Sequence, residues 1–352
     1  MSGGVRQLIF ASAGVLGLQG CSLSYYAQSI NGHLDILAAS QPIEKLIDRP
    51  SSSTELNQNL ELARDIRQFA VDRLSLPDNG SYRNYVDTGR DFVTWSVFAA
   101  PELAPGVRTW CFPVVGCVPY RGYFSKEAAV RYAQQIREEG FDVHVGGVPA
   151  YSTLGLTRDP LLNTMLLYGE SYLAGVIFHE LSHQLIYVED DAEFNEAFAV
   201  SVEEAGTVEW LKHRGQTTEL VRFHATRKRN DDFVRLVAGT QDELTEIYKS
   251  DKSDAEKRVA KKAAIERLRT RYRRVRSIKW NGYKGYDGWF DAPINNAKLA
   301  TIGVYNDLVP AFSRLLEICD GDYQRYYKSV VRIGKLEKAD RRRALTQASR
   351  CN

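Results

Sequence analysis

His179, Glu180, Leu181, Ser182 and His183 set two imidazoles four positions apart inside an apolar stretch, Leu173 to Ile186. In a helix four residues make close to one turn, so both rings project from one face and can share a single Zn²⁺. Glu180 falls on the neighbouring edge of that face. A carboxylate there can take a proton from metal-activated water and pass it to a leaving amine. The competing reading is two histidines packed in a helix. The whole chain holds six histidines, and nothing else in this segment accounts for two of them in one frame.

A catalytic zinc needs a third protein ligand and an open fourth position. The acidic residues that follow are Glu193, Glu196, Glu203 and Glu204, and the run Glu189-Asp190-Asp191 breaks the apolar pattern before them. If the chain turns there and returns antiparallel, reflection about a point between Val188 and Glu189 brings Glu196 level with Leu181, midway between the histidines. Glu193 reflects onto Gln184, and Glu203 onto Ala174, about 10 Å along the axis from the metal. Glu196 is the expected ligand and Glu193 the fallback. Peptide-bond hydrolysis also needs a donor for the developing oxyanion, and Tyr151, Tyr286 and Tyr305 lie in suggestive segments. Among 19 tyrosines most must simply pack. Glu170 could anchor an amine, although a surface carboxylate is the plainer reading. His144, His213 and His224 have no partner at ligand spacing and read as structural.

The elements that position these residues follow from apolar periodicity. Spacings of three and four predict helices over Gln28–Leu46 and Thr54–Leu74, and Val-, Phe- and Trp-rich runs predict strands over Phe92–Ala99 and Thr109–Val118. Either strand could hold an extended peptide by edge pairing. A helix over Ser125–Glu139 leads through Gly140 to a strand at Phe141–Val145. After a Gly-, Ser- and Pro-containing loop, Val148–Asp159, the region Leu161–Val188 reads as helical. Gln216–Arg276 reads as a charged helical hairpin, Asn281–Asp291 as an aromatic loop, and Ala292–Tyr327 as helix. The expected fold class is α+β, mostly helical with a small sheet, the histidine helix pairing with an antiparallel helix that carries the Glu ligand. One domain is expected over 21–352, with metal-site helices at 171–212, the charged hairpin at 216–276 and C-terminal loop and helices at 281–352. A formal net charge of +2 excludes a wholly basic polyanion binder, so no nucleic-acid partner is expected. The basic end of the hairpin reads as a solvated face rather than a lipid-headgroup surface.

Leu8 to Leu18 is a short apolar run after Arg6, too short for a permanent membrane span and in the position of a cleaved export signal, residues 1–20. Gly20-Cys21 resembles the bacterial lipoprotein box, which implies a lipid on Cys21. Ser22, not Asp, implies sorting to the outer membrane, with the domain facing the periplasm. In that oxidising compartment the other four of the five cysteines can pair. Sequence proximity favours Cys111 with Cys117 and Cys319 with Cys351, out of three possible connectivities.

Val176-Ile177-Phe178-His179-Glu180-Leu181-Ser182-His183-Gln184, followed by Asn195-Glu196-Ala197-Phe198-Ala199, resembles the gluzincin signature of aminopeptidase N type enzymes. There the Glu of the second motif is the third zinc ligand, which implies the same role for Glu196. The gap between the motifs is shorter here, no Gly-x-Met-Glu-Asn segment is present, and Val200 stands where thermolysin-like relatives carry a histidine-orienting Asp. A different partner must hold His179 or His183. Over nearly its whole length the chain also resembles an uncharacterised bacterial family of predicted aminopeptidases, through Gly20-Cys21-Ser22, Tyr25-Tyr26-Ala27-Gln28, Gly116-Cys117-Val118-Pro119-Tyr120-Arg121-Gly122-Tyr123, Ala150-Tyr151-Ser152-Thr153-Leu154-Gly155, the histidine segment and Asn295-Asn296-Ala297. The expectation is a one-zinc metallopeptidase acting on peptide substrates, an aminopeptidase by the family's name, with Glu180 as general base. The rival expectation is an envelope lipoprotein scaffold that retains the metal site without turnover.

Overall fold

The computed structural model describes residues 13–49, 52–112, 116–303 and 308–351, with side chains from Ser24 onward. The lipid-bearing side chain expected at Cys21, residues 1–12 of the export signal and Tyr305 lie outside what is described. The chain is mostly helical with small mixed sheets, an α+β protein. Among the described residues no helix is long and apolar enough to cross a membrane.

The first helix, α1 (Ala13–Ala39), stops short of the expected Leu46, since Pro42 lacks the N–H that would continue it. Gln41–Pro42 forms a short strand, β1, and a separate one-turn helix, α2 (Ile43–Ile47), follows. In α3 (Thr54–Asp72) Ser53 caps the N-terminus by accepting from Leu56 N at 3.1 Å. Leu60, Ala63, Ile66 and Ala70 on its inner face are fully buried.

Three sheets follow. β2 (Asn84–Val86) lies between β1 and β8 (Leu161–Leu162), antiparallel to the first and parallel to the second. β3 (Thr94–Pro101) is the centre of an antiparallel sheet, flanked by β6 (Arg121–Tyr123) and β7 (Phe141–Val148). Residues 95–97 therefore have strand neighbours on both sides, while residues 98–101 pair with β7 alone. The expected strand Thr109–Val118 is a hairpin of β4 (Trp110–Phe112) and β5 (Gly116–Val118), tied by the Cys111–Cys117 disulfide. Helix α4 (Lys126–Glu138) covers one face of the β3 sheet, packing Ala129, Ala133 and Ile136 against Val97 and Ala99. By the two-residue period of a strand, Thr94, Ser96 and Phe98 face the other way.

The segment expected as one helix from Leu161 begins as strand β8. Helix α5 starts only at Glu170 and runs to Leu185, because Gly169 before it takes φ +86°, a left-handed conformation that an L side chain resists. α6 (Ala192–His213) returns antiparallel to it, as α7 (Thr217–Lys249) and α8 (Asp254–Ile278) do to each other. Gly206 lets α6 approach closely: a Cβ there would sit 2.6 Å from Leu74 Cδ1 and 2.9 Å from Phe178 Cδ2. The aromatic loop after α8 contains a short helix, α9 (Asp287–Asp291). The remainder divides into α10 (Asn296–Gly303), α11 (Val309–Ile318), α12 (Tyr323–Gly334) and α13 (Lys338–Thr346). Asp320 and Gly321, both at positive φ, end the run expected to continue to Tyr327. A Cys319–Cys351 disulfide ties the end of α11 to the C-terminal segment.

Leu60, Phe178, Phe194, Phe198, Phe312 and Tyr326 centre the main core, in which α3, α5 and α6 pack with α11 and α12. The α7–α8 hairpin carries its own core of Phe233, Leu268, Tyr272, Trp280 and Phe290, with the Tyr272 and Phe290 rings stacked 3.8 Å apart. Many of its cations are satisfied within the molecule. Arg267 and Arg271 meet Glu243, Arg276 meets Asp287 and Lys261 meets Asp142.

Candidate metal centre and cleft

Helix α5 buries Leu173, Ile177, Phe178 and Leu181 in the main core, which turns His179 and His183 toward α6. The return of the chain is fixed by two side chains at the start of α6. Asp191 caps the helix by accepting from Phe194 N, and Arg341 holds that carboxylate at 2.9 Å. Asn195 clamps the turn: its Oδ1 accepts from Val188 N at 2.8 Å and its Nδ2 donates to Val188 O at 2.7 Å. The next residue is Glu196.

The Nε2 atoms of His179 and His183 lie 3.1 Å apart, and Glu196 places Oε2 3.4 Å from the first and Oε1 3.7 Å from the second. One ligand atom from each of the three residues falls within 4.8 Å of the others, a group that could hold a metal ion. Two imidazole nitrogens and a carboxylate are a donor set that suits zinc with one position left open. Glu193 is not brought to this group; it pairs with Arg342 at 2.6 Å, and Glu204 pairs with Arg227.

Behind His179, Nδ1 donates to Glu203 Oε2 at 3.0 Å. The proton is thereby held on Nδ1 and Nε2 keeps its lone pair for a metal, the carboxylate–histidine arrangement that orients ligands in metal sites. By reflection about the turn Glu203 comes level with Ala174, and its Cγ does lie beside Gly175. Its carboxylate nevertheless reaches a full turn along to His179. A Glu seven residues after the ligand Glu thus occupies the place that an Asp four residues after it would have filled.

Charge in this cluster is unevenly shared. Burial alone would lower the His179 pKa, but hydrogen bonds to Glu196 and Glu203 outweigh it and raise the imidazole well above its ordinary value, so a metal that binds Nε2 must displace the proton facing Glu196. His183, desolvated and beside His179, drops to about 4 despite the nearby Glu196. Burial raises Glu196, and its contacts with His179 and the charge of His183 more than reverse that, leaving it below the usual range. Glu180 is compensated only in part. Loss of water raises it, with help from Glu196, Asp159 and Glu203, to about 7 against the opposing pull of His179. Beside the three ligand candidates, this carboxyl is placed to take and return a proton.

The three ligand candidates and Glu180 open into a cleft of about 620 Å³. Its walls come from α1, the β3 face that carries Thr94, Ser96 and Phe98, the β4–β5 hairpin and the loop after β7. That loop is set by Asp159, which is buried and accepts from Thr153 N at 3.0 Å, Thr153 Oγ1 at 2.6 Å and Gln184 Nε2 at 2.7 Å. Gln184, the residue after His183, thus ties the cleft wall to the metal-site helix.

Tyr151 lines the cleft, its hydroxyl 2.8 Å from His33 Nδ1 on α1. Tyr286 does not; it packs against Phe233 of the hairpin core with the rings tilted and their centroids 4.7 Å apart. Glu170 is engaged at the far end of α5 by Trp210 Nε1 at 2.9 Å and Arg214 at 3.4 Å. Residue counting missed His33, whose partner is 118 positions away, and Tyr187. Tyr187 lies just past the end of α5 and lines the cleft, and its hydroxyl is raised by burial and then by the charge of Glu196. The four-residue step from His183 to Tyr187 was the available signal.

Neither a curated protein nor a solved structure matches the chain. A family model described as "Putative aminopeptidase" matches residues 24–345, which include α1 from Ser24, the whole cleft and the metal-site hairpin. The chain belongs to that family.

Proposed function

We propose that this protein is a zinc-dependent peptidase of the bacterial cell envelope, held at the outer membrane by a lipid on Cys21. The observation that carries the reading is the convergence of His179, His183 and Glu196 within 4.8 Å in a cleft that Glu180 also lines. Zinc in such a site supplies Lewis acidity that polarises a carbonyl and acidifies water. Glu180 takes the proton from the attacking water and delivers it to the nitrogen of the leaving amine. Glu203 keeps His179 in the ligating tautomer. The oxyanion is assigned to a cleft tyrosine, either Tyr151, oriented by His33, or Tyr187, near enough to Glu196 to feel its charge. A metal site that served only structure would close with a fourth protein donor; the group found among the described residues has three.

The test combines metal content with one substitution. Purified protein is expected to bind one zinc and to hydrolyse peptides, and Glu180→Gln is expected to keep the zinc while losing about 10²–10⁴-fold in kcat. Protein that binds no zinc, or a Glu180→Gln variant with wild-type turnover, overturns the reading. Labelling of Cys21 by a fatty-acid analogue, abolished by Cys21→Ser, tests the anchor.

A further inference from the structure

The cleft walls have a chemistry of their own. Three aromatic pairs surround the space. Tyr25 of α1 stacks on Phe112 of the hairpin with centroids 5.6 Å apart, Phe98 of β3 leans on Tyr120 at 5.8 Å, and Phe124 meets Tyr151 edge-on at 5.6 Å. Between them lie the hydroxyls of Ser29, Thr94, Ser96, Ser152 and Thr153. Among the described residues the only carboxylates in the lining are Glu180 and Glu196, both committed to the metal centre, and the lining includes no Lys or Arg. Arg121 stands close to this wall, but its guanidinium lies 4.0 Å from the Tyr25 ring and 4.5 Å from the Tyr132 ring.

We infer that the cleft selects peptide segments with large uncharged side chains beside the scissile bond, and that it does not depend on a free α-amine. This rests on the peptidase reading above and specifies its substrate class. Aromatic walls reward apolar area removed from water. A charged side chain, or the ammonium of a free N-terminus, would lose hydration against those walls, away from the two carboxylates of the metal centre. A primary ammonium needs acceptors for three N–H groups; the described lining offers it hydroxyls but no carboxylate beyond Glu180 and Glu196, which serve proton transfer and the metal. On the described lining, internal bonds or those next to a blocked terminus are favoured over the bond beside a free ammonium.

The experiment measures binding without turnover, using zinc-loaded Glu180→Gln protein and a matched peptide set. One peptide carries Phe and Leu at its centre, others carry Asp or Lys in place of Phe, and each is made with a free and an acetylated N-terminus. The Phe–Leu peptide is expected to bind at least about tenfold more tightly than the Asp and Lys forms, with acetylation changing Kd by less than about threefold. Phe98→Ala is expected to weaken the Phe–Leu peptide about tenfold, with Phe98→Leu recovering most of the loss. Zinc content and circular dichroism confirm that both variants fold. A free amine required for binding, preferential uptake of the Lys peptide by cation–π contact, equal affinity across the set, or no binding at all overturns the inference. If the selectivity appears but wild-type protein cleaves nothing, the cleft inference stands and the peptidase reading fails.

Discussion

Glu203 Oε2 lies 3.0 Å from Nδ1 of His179, on the side of the ring away from the nitrogen that meets Glu196. The two carboxylates grip one imidazole from both ends, and both project from α6. The ligand and the group that orients its neighbour therefore move as one rigid unit.

Glu203→Ala should lower zinc affinity by about 10–100-fold, the usual cost of losing such a partner, while leaving all three donors in place. Glu203→Gln, which keeps an amide oxygen to accept from Nδ1, should recover part of it. Competition against a chelator of known affinity reads both values. Unchanged affinity in Glu203→Ala would remove Glu203 from the site.

The metal-site hairpin was legible because its contacts are local. Counting 3.6 residues per turn puts His179 and His183 on one face, and a short turn brings Glu196 back to them. Counting gives axial level, however, and not how far a side chain reaches, which is why Glu203 looked too distant. The α+β class could be read from periodicity, but Leu161–Leu162 was not recognisable as a strand. Two apolar residues have no period, and their pairing with Tyr85 and Val86 spans a large sequence separation. The same separation hid the contact between His33 and Tyr151. Side-chain pairs between remote segments are set by packing, which one-dimensional spacing does not encode.

Asn195→Ala should disturb the site from outside it. Both hydrogen bonds to the half-buried Val188 backbone disappear, at a net cost of about 0.5–1.5 kcal/mol each. Stability should fall by about 1–3 kcal/mol in denaturant titration, and zinc affinity should drop because the turn that delivers Glu196 loosens. Loss of stability with zinc affinity intact would mean that α6 holds Glu196 without the clamp.

His144 gives the protein an acid sensitivity unrelated to the metal. Burial, with the nearby Lys298, lowers its pKa to about 4 in the fold, against about 6.5 in the unfolded chain. Between those values the unfolded state binds the extra proton, so stability rises with pH in this window. The contribution is fully present above pH of about 6.5 and is lost as pH falls toward 4. His144→Gln, which cannot titrate, should therefore gain stability relative to wild type on going from pH 7.5 to pH 4.5. Parallel pH profiles for the two proteins would show that His144 titrates alike in both states.

The two disulfides should fail differently on reduction. Cys319–Cys351 closes a separation of 32 residues and anchors the C-terminal segment to α11, so its removal by Cys319→Ala with Cys351→Ala should cost about 3–4 kcal/mol of global stability. Cys111–Cys117 closes only six, and the same chain-entropy argument gives about 2 kcal/mol. Its hairpin, however, presents Phe112 to the cleft opposite Tyr25. Cys111→Ala with Cys117→Ala should therefore raise the Kd for an aromatic peptide more than it lowers stability, and the Cys319/Cys351 pair should do the reverse. Denaturant midpoints and peptide affinities measured on both variants check this. If the two double variants lose stability and affinity in the same proportion, the hairpin does not act as a separate wall of the cleft.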